Sequence, residues 1–407
     1  MTETTHYDLY SPTFKANPYP TYAAMREQAP VCRNPGLDGQ SLLWFITRYE
    51  EAEAVLRDQK RFVKNYRATL TPEEQAKLPP EPRLERLLNQ HLLNMDGADH
   101  VRLRSLVSKA FTAQRVNRLQ GRIQTIADEL LDKVQDQGHM DLIDDYAFPL
   151  PIIVIAEMLG VPAADRDRFR VWSNTFVSPS FTPEGWAQTE KLMIEFTNYL
   201  GQVFAERRRN PKDDLITALI QAEEAGDKLS EEELYSMVIL LIVAGHETTV
   251  NLIGNGMLAL LRNPDQFALL KSQPELMPNA VEEFLRYDGP VERATPRFAT
   301  EDIEIGGQLI RRGEAVFVVL GGADRDPAEF PQPDQVDVTR EDNRHLAFGF
   351  GVHYCLGAPL ARLEGRIALN TLLARLPNLR LAVPPDELTW RPNTFLRGLQ
   401  GIPVVWY

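Results

Sequence analysis

The distribution of apolar residues along the chain predicts a mainly helical protein with one long central helix. Ser230-Glu-Glu-Glu233 has the spacing of a capping box, in which a Ser and a Glu three residues later satisfy each other's backbone N–H groups. The apolar stretch after it continues to about Leu261, and Asn263-Pro264 ends it. We therefore expect a helix of about 30 residues, roughly 45 Å long, that is buried on several sides.

Shorter patterns complete a mainly α fold with a small β region (α+β), which we expect to form one domain over residues 1–407. Further helices are predicted near 19–28, 48–57, 98–110, 113–136, 145–159, 163–176, 184–208, 212–225, 264–272, 277–287 and 356–374. Strands are predicted at Leu42–Thr47, Arg297–Thr300, Ile303–Ile305, Ala315–Leu320 and Ile402–Val405. Gly306-Gly307 predicts a hairpin turn, and the long, weakly patterned stretches 58–95 and 323–352 are of the kind that carries function.

Composition and charge narrow the class of protein. The 407 residues contain 44 Lys and Arg against 57 Asp and Glu, a net charge of −13, which argues against nucleic acid as the main partner. The two cysteines, Cys32 and Cys355, exclude a disulfide framework and indicate a reducing compartment. The N-terminus lacks the features of a signal peptide, and the apolar runs are shorter than the roughly 20 residues of a membrane span. We expect a cytoplasmic protein that does not enter the membrane.

Cys355 lies in an unusual setting, Phe348-Gly-Phe-Gly-Val-His-Tyr-Cys355-Leu-Gly357, directly before a predicted helix. Glycines allow positive φ angles and close approach of the backbone to a flat ligand. A Cys at a helix N-terminus is expected to have a lowered pKa. Without a second ligand at zinc spacing, a thiolate here fits haem iron better than zinc or an iron–sulfur cluster. The alternative is a buried structural cysteine in a Gly-rich turn.

A second polar group interrupts the apolar centre of the long helix, at Ala244-Gly-His-Glu-Thr-Thr249. Gly245 weakens the helix by roughly 1 kcal/mol relative to Ala, and Thr248 can bond back to the carbonyl four residues earlier and bend the helix. A carboxylate beside a hydroxyl is costly to bury. Either Glu247 serves the chemistry, or the segment is a kink with Glu247 in a salt bridge.

Together these segments resemble the cytochrome P-450 family. The Cys355 segment, with Leu360-Ala-Arg362, matches each fixed position of F-G-x-G-x-H-x-C-L-G-x-x-L-A-R, and 244–249 matches A-G-x-D/E-T-T/S. The resemblance implies a triangular fold whose long central helix crosses over haem b, with Cys355 as axial iron ligand. It implies that Thr248 hydrogen-bonds the oxygen being activated and that Glu247 relays protons from solvent.

The resemblance also implies how the haem is held. His100 and Arg104, in a D-x-x-x-H-x-x-x-R segment, together with Arg297 and His353, match the positions that bind the haem propionates. Further resemblances give Glu283 and Arg286 (E-x-x-R) and Arg340 a structural role beneath the haem. One position departs from the family: Asp324 replaces the usual Asn, so that a hydrogen bond to a carbonyl is lost or needs a protonated carboxyl.

The implied reaction inserts one atom of O2 into a C–H bond of an apolar molecule such as a macrolide, steroid, terpenoid or fatty acid. NAD(P)H supplies electrons indirectly, through a ferredoxin and its reductase or a flavodoxin-type donor. The implied substrate pocket is lined by these residues: Leu92, Leu93, Leu240, Val243, Ala244, Val291, Ala294, Thr295, Thr394 and Phe395. An acidic partner is expected to meet a basic surface formed by these residues: Arg102, Arg104, Lys109, Arg115, Arg344, Arg362 and Arg366.

Three other functions remain open at this point. A peroxide-driven peroxygenase usually lacks the acid–alcohol pair that Glu247 and Thr248 form. A thiolate-haem gas-binding protein would bind CO or NO without turnover. A helical binding protein without haem would leave Cys355 incidental.

Overall fold

A computed structural model describes residues 6–82, 86, 88–165, 168–169, 171–172, 183–224, 226–376 and 378–407. The α-helices of this part of the chain are α1 (Pro12–Ala16), α2 (Tyr19–Gln28), α3 (Tyr49–Arg57), α4 (Pro72–Ala76), α5 (Gly97–Ala110), α6 (Ala113–Arg118), α7 (Gln120–Asp132), α8 (Pro149–Leu159), α9 (Pro183–Arg209), α10 (Leu215–Gln221), α11 (Glu231–Arg262), α12 (Pro264–Ser272), α13 (Met277–Asp288), α14 (Leu320–Ala323) and α15 (Ala358–Arg375). The prediction of a mainly helical fold is confirmed.

Three predicted helices differ from the structure. The helix expected over 212–225 is limited to Leu215–Gln221, and a short strand follows at Glu223–Glu224. The helix expected over 113–136 is divided into α6 and α7 at Leu119, and it ends at Asp132. Much of the helix expected over 163–176 lies outside the described residues, which show a 3-10 turn at Ala163–Asp165.

The central helix α11 begins as the capping box predicts. The Glu233 N–H donates to Ser230 Oγ at 3.2 Å, and the Ser230 N–H donates to a Glu233 carboxylate oxygen at 2.8 Å. The helix packs against α8, α13 and α15. Contrary to the sequence expectation, α11 is long and apolar enough to span a membrane, but 67% of its most apolar 18-residue stretch is buried within the protein. This burial is typical of a core helix.

The strands form small sheets. They are β1 (Val31–Pro35), β2 (Leu42–Ile46), β3 (Phe62–Val63), β4 (His139–Asp141), β5 (Glu223–Glu224), β6 (Asp227–Lys228), β7 (Arg297–Ala299), β8 (Ile303–Ile305), β9 (Gln308–Ile310), β10 (Ala315–Val318), β11 (Arg380–Leu381) and β12 (Pro403–Val405). A five-stranded sheet has the order β1-β2-β10-β7-β3, with β2 and β10 parallel and the other neighbours antiparallel. A second sheet has the order β11-β12-β4.

The hairpin predicted at Gly306-Gly307 is confirmed. It joins β8 to β9, and both glycines have positive φ angles, 55° and 73°. Two-residue hairpin loops of this kind require such angles at both positions, and glycine adopts them without steric cost.

Candidate functional site

The loop before α15 presents Cys355. Gly349 and Gly351 have φ angles of 72° and 71°, which a residue with a side chain rarely adopts. A Cβ on Gly351 would lie 3.1 Å from the carbonyl oxygen of Leu56 in α3. The Cys355 N–H donates to the Phe348 carbonyl at 2.9 Å and closes the loop. The glycines therefore let the loop lie against α3 while it turns into α15, where Cys355 is half-buried.

For the polypeptide alone, the prediction that the pKa of Cys355 is lowered is wrong. Burial raises the pKa of this thiol, and the N–H groups of Gly357 and Ala358, with the nearby charge of Arg104, oppose the increase without reversing it. Desolvation of a thiolate outweighs the helix N-terminus here. A bound metal cation deprotonates such a thiol outright. Cys32 is buried, and its pKa is raised to about 11, as expected for an inert thiol.

A cluster of buried basic side chains lies next to this loop. The rings of His100, on α5, and His353, in the loop, have centroids 4.3 Å apart. The pKa of His353 is lowered to about 2, first by burial and then by the positive charges of its neighbours, including His100, Arg297 and Arg104. Burial also lowers the pKa of Arg297 to about 10. The structure thus brings together the four residues expected at the propionates.

This cluster fits the two carboxylates of haem b. Both ring nitrogens of His100 and Nδ1 of His353 are buried and have no hydrogen-bond partner within the part of the chain that the structure describes. Unpaired buried donors and cations are costly, and carboxylates are the groups that satisfy them. Arg104 contributes a further guanidinium, which also donates to the Val352 carbonyl at 3.3 Å. The residues present are therefore suited to hold a dianionic, flat cofactor beside Cys355.

Sequence reasoning missed Lys64, which joins the basic cluster to the expected substrate pocket. Its ammonium group donates to the carbonyls of Thr295 and Pro296, at 3.0 and 2.8 Å, and to the Thr295 hydroxyl. Its charge also lowers the pKa of His353. No sequence motif surrounds Lys64, so only tertiary structure could have identified it.

Thr248 and Glu247 lie at the centre of α11, but their side chains have different partners. The Thr248 hydroxyl donates to the Ala244 carbonyl at 2.7 Å, as its sequence position predicts. Glu247 is buried and pairs with Arg391 Nη1 at 2.8 Å. Burial raises the pKa of Glu247, and Arg391 opposes this effect. Both candidate roles, salt bridge and functional acid, therefore remain compatible with this carboxylate.

The central helix α11 is continuous through Ala244–Thr249, as expected for one helix of about 30 residues. The Thr248 hydroxyl donates a hydrogen bond to the Ala244 carbonyl, and the helix is not broken there. The residues at 240, 241, 243, 244, 245 and 248 are more exposed than the buried residues on either side of them in sequence. Several of these are three or four residues apart and so share a face, which is where the sequence places the pocket.

The network expected beneath the haem is present. Arg286 makes two hydrogen bonds of 2.8 Å to Glu283, and Arg340 donates to the same carboxylate at 3.1 Å. The Glu283 and Arg286 side chains are completely buried. Arg286 also donates to the carbonyls of Asp324 and Pro333, at 3.0 and 2.8 Å. The network therefore ties α13 to the long segment before Cys355.

Asp324, the departure from the family pattern, fits its buried position. One of its carboxylate oxygens accepts a hydrogen bond from the Leu346 N–H at 2.6 Å. Leu346 lies nine residues before Cys355. Burial raises the pKa of Asp324 to about 7, and the charges of His345 and Arg286 oppose the increase. The acid therefore takes up a proton far more readily than an exposed carboxylate.

The expected pocket residues come from several segments that the structure partly joins. The Glu292 N–H donates to the Phe395 carbonyl at 2.8 Å, and Val291 pairs with Leu396, so the segment that begins at Val291 lies against the segment of Thr394 and Phe395. The Ala294 N–H donates to the Val318 carbonyl, and Thr295 contacts Lys64. Leu240 and Val243 pack against the buried apolar core of the helical region, to which Leu92 belongs. Leu93 is half-buried.

The expected basic surface is largely neutralised by neighbouring acids. Arg102 pairs with Glu233 and Asp227, Arg115 with Asp213, Arg344 with Asp342 and Glu329, and Arg362 with Glu282. Arg104 belongs to the buried cluster described above. Arg366 donates to the Arg362 carbonyl at 3.2 Å and is half-exposed.

A half-buried cysteine in a glycine-rich loop, a buried basic cluster and an acid–alcohol pair on a long core helix are the features expected of a haem-thiolate enzyme. The family model for cytochrome P-450 matches residues 139–395. Cytochrome P-450 107B1 of Saccharopolyspora erythraea is 48% identical over 97% of this chain and 96% of its own. A vitamin D(3) 25-hydroxylase of Pseudonocardia autotrophica is 46% identical over 99% and 97%.

A solved structure agrees with these sequence relatives. The structure of the cytochrome P-450 PksS, from the bacillaene polyketide synthase of Bacillus subtilis 168, superposes on this chain with a TM-score of 0.92. The two sequences are 42% identical, and the match covers 98% of this chain and 99% of that one. The chain belongs to the cytochrome P-450 family, which confirms the predicted fold and cofactor. It is a haem b oxidoreductase of the monooxygenase type that acts on apolar molecules, with NAD(P)H electrons supplied through redox partners.

Proposed function

We propose that this protein hydroxylates a bulky apolar metabolite of the polyketide or steroid type, and that Cys355 is the axial ligand of its haem. This proposal rests on one observation: Cys355 lies beside the buried basic cluster of His100, Arg297 and His353. The relatives named above for vitamin D(3) and for a polyketide synthase support the substrate class. A macrolide, terpenoid or fatty acid is a further candidate within the same class of apolar molecules.

Each site residue has a distinct task in the proposed reaction. The basic cluster, with Arg104, would neutralise the propionates and hold the cofactor beside Cys355. When bound, the haem supplies O2 activation, so that one oxygen atom enters a C–H bond and the other leaves as water with two electrons and two protons.

The central helix supplies the protons. Thr248 holds a hydroxyl at the pocket face of α11, where its lone pairs accept a hydrogen bond while its proton is held by the Ala244 carbonyl. Glu247, one residue earlier, carries an ionisable group whose pKa burial shifts toward neutrality. The pocket residues, which include Leu240, Val243, Ala244 and Val291, exclude water around the substrate.

We propose a ferredoxin and its reductase, or a flavodoxin-type donor, as the electron source, with the protein acting in the cytoplasm. These 407 residues contain two cysteines, too few for an iron–sulfur cluster of their own beside Cys355. A cavity of about 510 Å³ opens beside the Cys355 loop, lined by residues that include Tyr49, Arg344, Phe350 and Tyr354. We place the partner on this face. Arg366 lies one turn along α15 from Arg362, which donates to the hydroxyl of the cavity residue Tyr354 at 3.2 Å. Arg366→Glu therefore tests the contact, with Arg209→Glu as a charge-matched control.

The test combines purified haem-loaded protein with a surrogate ferredoxin and reductase, NADPH and labelled O2. The substrate panel contains vitamin D3, testosterone, myristic acid and a macrolactone. A product with one labelled oxygen atom and substrate-dependent NADPH consumption supports the proposal. Product formation that needs H2O2 and ignores NADPH indicates the peroxygenase alternative. A CO-binding haem without NADPH consumption for any panel member indicates the gas-binding alternative.

A further inference from the structure

Two segments of the expected substrate pocket lie side by side. Val291 pairs with Leu396 in an antiparallel bridge, and the Glu292 N–H donates to the Phe395 carbonyl at 2.8 Å. Because they carry Val291 and Phe395, we call these stretches the pocket-wall segments: residues 290–293 and residues 395–397. Consecutive side chains of a bridged segment point to opposite sides. Val291 and Glu292 therefore face different sides of the wall.

The side of the wall that carries Glu292 is buried against the N-terminal segment, residues 9–22. Lys15 Nζ donates to one Glu292 carboxylate oxygen at 2.6 Å, and the Tyr22 hydroxyl donates to the other. The side chains of Lys15 and Glu292 are 7% and 1% exposed. Burial lowers the pKa of Lys15, and the charge of Glu292 opposes the decrease. Breaking a buried ion pair is costly, so this contact fixes the two segments relative to each other.

The N-terminal segment holds both pocket-wall segments. In the first, Arg293 Nη2 lies 3.3 Å from the Glu292 carboxylate and donates to the Leu9 carbonyl at 2.9 Å. In the second, Arg397 Nη1 donates to the Lys15 carbonyl at 2.7 Å. Lys15 is the central contact, because its ammonium group reaches one pocket-wall segment and its carbonyl reaches the other.

The chain that follows the first pocket-wall segment has anchors of its own. The Ala294 N–H donates to the Val318 carbonyl at 2.9 Å. The Thr295 carbonyl accepts a hydrogen bond from the Lys64 ammonium group at 3.0 Å. Loss of the buried ion pair is therefore expected to displace the wall at Val291 while these later contacts persist. The basic cluster, whose arginine follows them in sequence, should keep its place.

We infer that Lys15 and Glu292 are positioning residues, which set the place of the pocket wall from the side that the substrate does not touch. The inference rests on the pocket of the proposed function. The N-terminal segment thereby helps to determine which apolar molecules fit, although it supplies none of the expected substrate contacts. A bulky ligand that reaches the wall should depend on the ion pair, and a small ligand that meets only the iron should not.

The test uses two ligands of the haem iron, whose binding shifts the Soret band of the haem-loaded protein. Imidazole is small and meets little beyond the iron. Clotrimazole is an imidazole with three aromatic rings, which are expected to reach the pocket wall. Lys15→Met keeps an unbranched apolar side chain and removes the charge. We expect this variant to weaken clotrimazole binding severalfold relative to imidazole binding.

The matched control breaks a comparably buried ion pair in another part of the protein. The side chains of Arg207 and Asp214 are each 5% exposed, and Arg207 also donates to the Gly160 carbonyl at 2.8 Å. Arg207→Met should therefore lose stability much as Lys15→Met does. It should keep the wild-type ratio of the two dissociation constants, because this pair does not hold the pocket wall.

A wild-type ratio in Lys15→Met overturns the inference, and so does an equal change in Arg207→Met. If Lys15→Met does not retain haem, Glu292→Gln and Tyr22→Phe replace it, and a wild-type ratio in both overturns the inference. A ratio that changes in Val291→Ala but not in Lys15→Met contradicts the inference and leaves the proposed pocket in place. Neither ligand needs O2 or electrons, so a failure of the proposed hydroxylation is seen separately, as absence of product.

Discussion

The rings of His100 and His353 lie 4.3 Å apart, and neither ring has a hydrogen-bond partner for its Nδ1 among the described residues. One histidine comes from α5 and the other from the loop that ends in Cys355. The two neutral imidazoles, one buried and one half-buried, lie beside the cationic Arg297, and the described residues offer no acceptor to His100 or to His353 Nδ1. This relationship is the most direct indication in the protein that an anionic group belongs at this place.

We predict that His100→Ala and His353→Ala each weaken haem binding by about 10- to 100-fold, since a hydrogen bond to a charged group contributes about 1.5–3 kcal/mol. The measurement is the rate of haem transfer to an excess of apomyoglobin. His139→Ala, at an exposed site on β4, is the matched control and should behave as wild type. Equal retention in all of these proteins would contradict the propionate assignment.

Replacing Arg286 should destabilise the whole domain. Arg286→Leu leaves the carboxylate of Glu283 buried and without its main partner, which costs about 3–5 kcal/mol for a buried ion pair. Urea unfolding of the haem-loaded protein measures this cost. Arg311→Leu, which breaks the exposed pair with Asp302, should cost less than about 1 kcal/mol. Similar costs for the two variants would show that the Glu283–Arg286 pair does not have its predicted structural role.

Thr248→Ala should separate oxygen activation from haem binding. We expect an unchanged thiolate-type spectrum, product formation lowered by about tenfold or more, and a larger share of electrons released as peroxide, because the hydroxyl at the pocket face of α11 is lost. Thr248→Ser, which keeps the hydroxyl, should restore most of the product yield. The assay is the ratio of product and peroxide to NADPH consumed; a ratio equal to that of wild type in Thr248→Ala removes this residue from the mechanism.

Asp324 should make the stability of the protein depend on pH. Its pKa is about 7 in the folded protein against an ordinary value of 3.8, so the folded state binds this proton more tightly than the unfolded state. That contribution is complete below the unfolded pKa and is lost as the pH rises through about 7. Asp324→Asn does not titrate, so its free energy of unfolding relative to wild type should rise by on the order of 1–2 kcal/mol between about pH 5 and about pH 8.

The matched control is Asp302→Asn. Hydrogen bonds from Arg312 and Arg311 lower the pKa of exposed Asp302 below its ordinary value of 3.8. This carboxyl therefore does not titrate between about pH 5 and about pH 8, and the variant should show no measurable change in relative stability over that range. A stability difference for Asp324→Asn that is the same at both pH values would refute the role of the buried acid.

Local sequence signals predicted the elements that depend on local chemistry. The capping box at Ser230 and the Asn263-Pro264 stop predicted α11 nearly to the residue, and the glycines at 306 and 307 predicted the β8–β9 hairpin. Strands such as β3 escaped prediction, because two residues carry no periodicity and Phe62–Val63 is a strand through its pairing with β7.

Part of the site was predictable, because a dense motif fixes the residues around Cys355. The contacts that distant segments make with site residues were not predictable. Arg391 reaches Glu247, and Lys64 reaches Thr295, through tertiary contacts between segments far apart in sequence. The Cys355 pKa was misjudged for a related reason: helix position can be inferred from sequence, whereas the burial that outweighs it depends on the whole fold.

The most direct test of the central claim is the absorption spectrum of the reduced, CO-bound protein after haem supplementation, measured for wild type, Cys355→Ala and Cys32→Ala. The account predicts a thiolate-type Soret band for wild type and for Cys32→Ala, and its loss in Cys355→Ala. A wild-type spectrum of an imidazole-ligated haem, or a thiolate-type band that persists in Cys355→Ala, would contradict it.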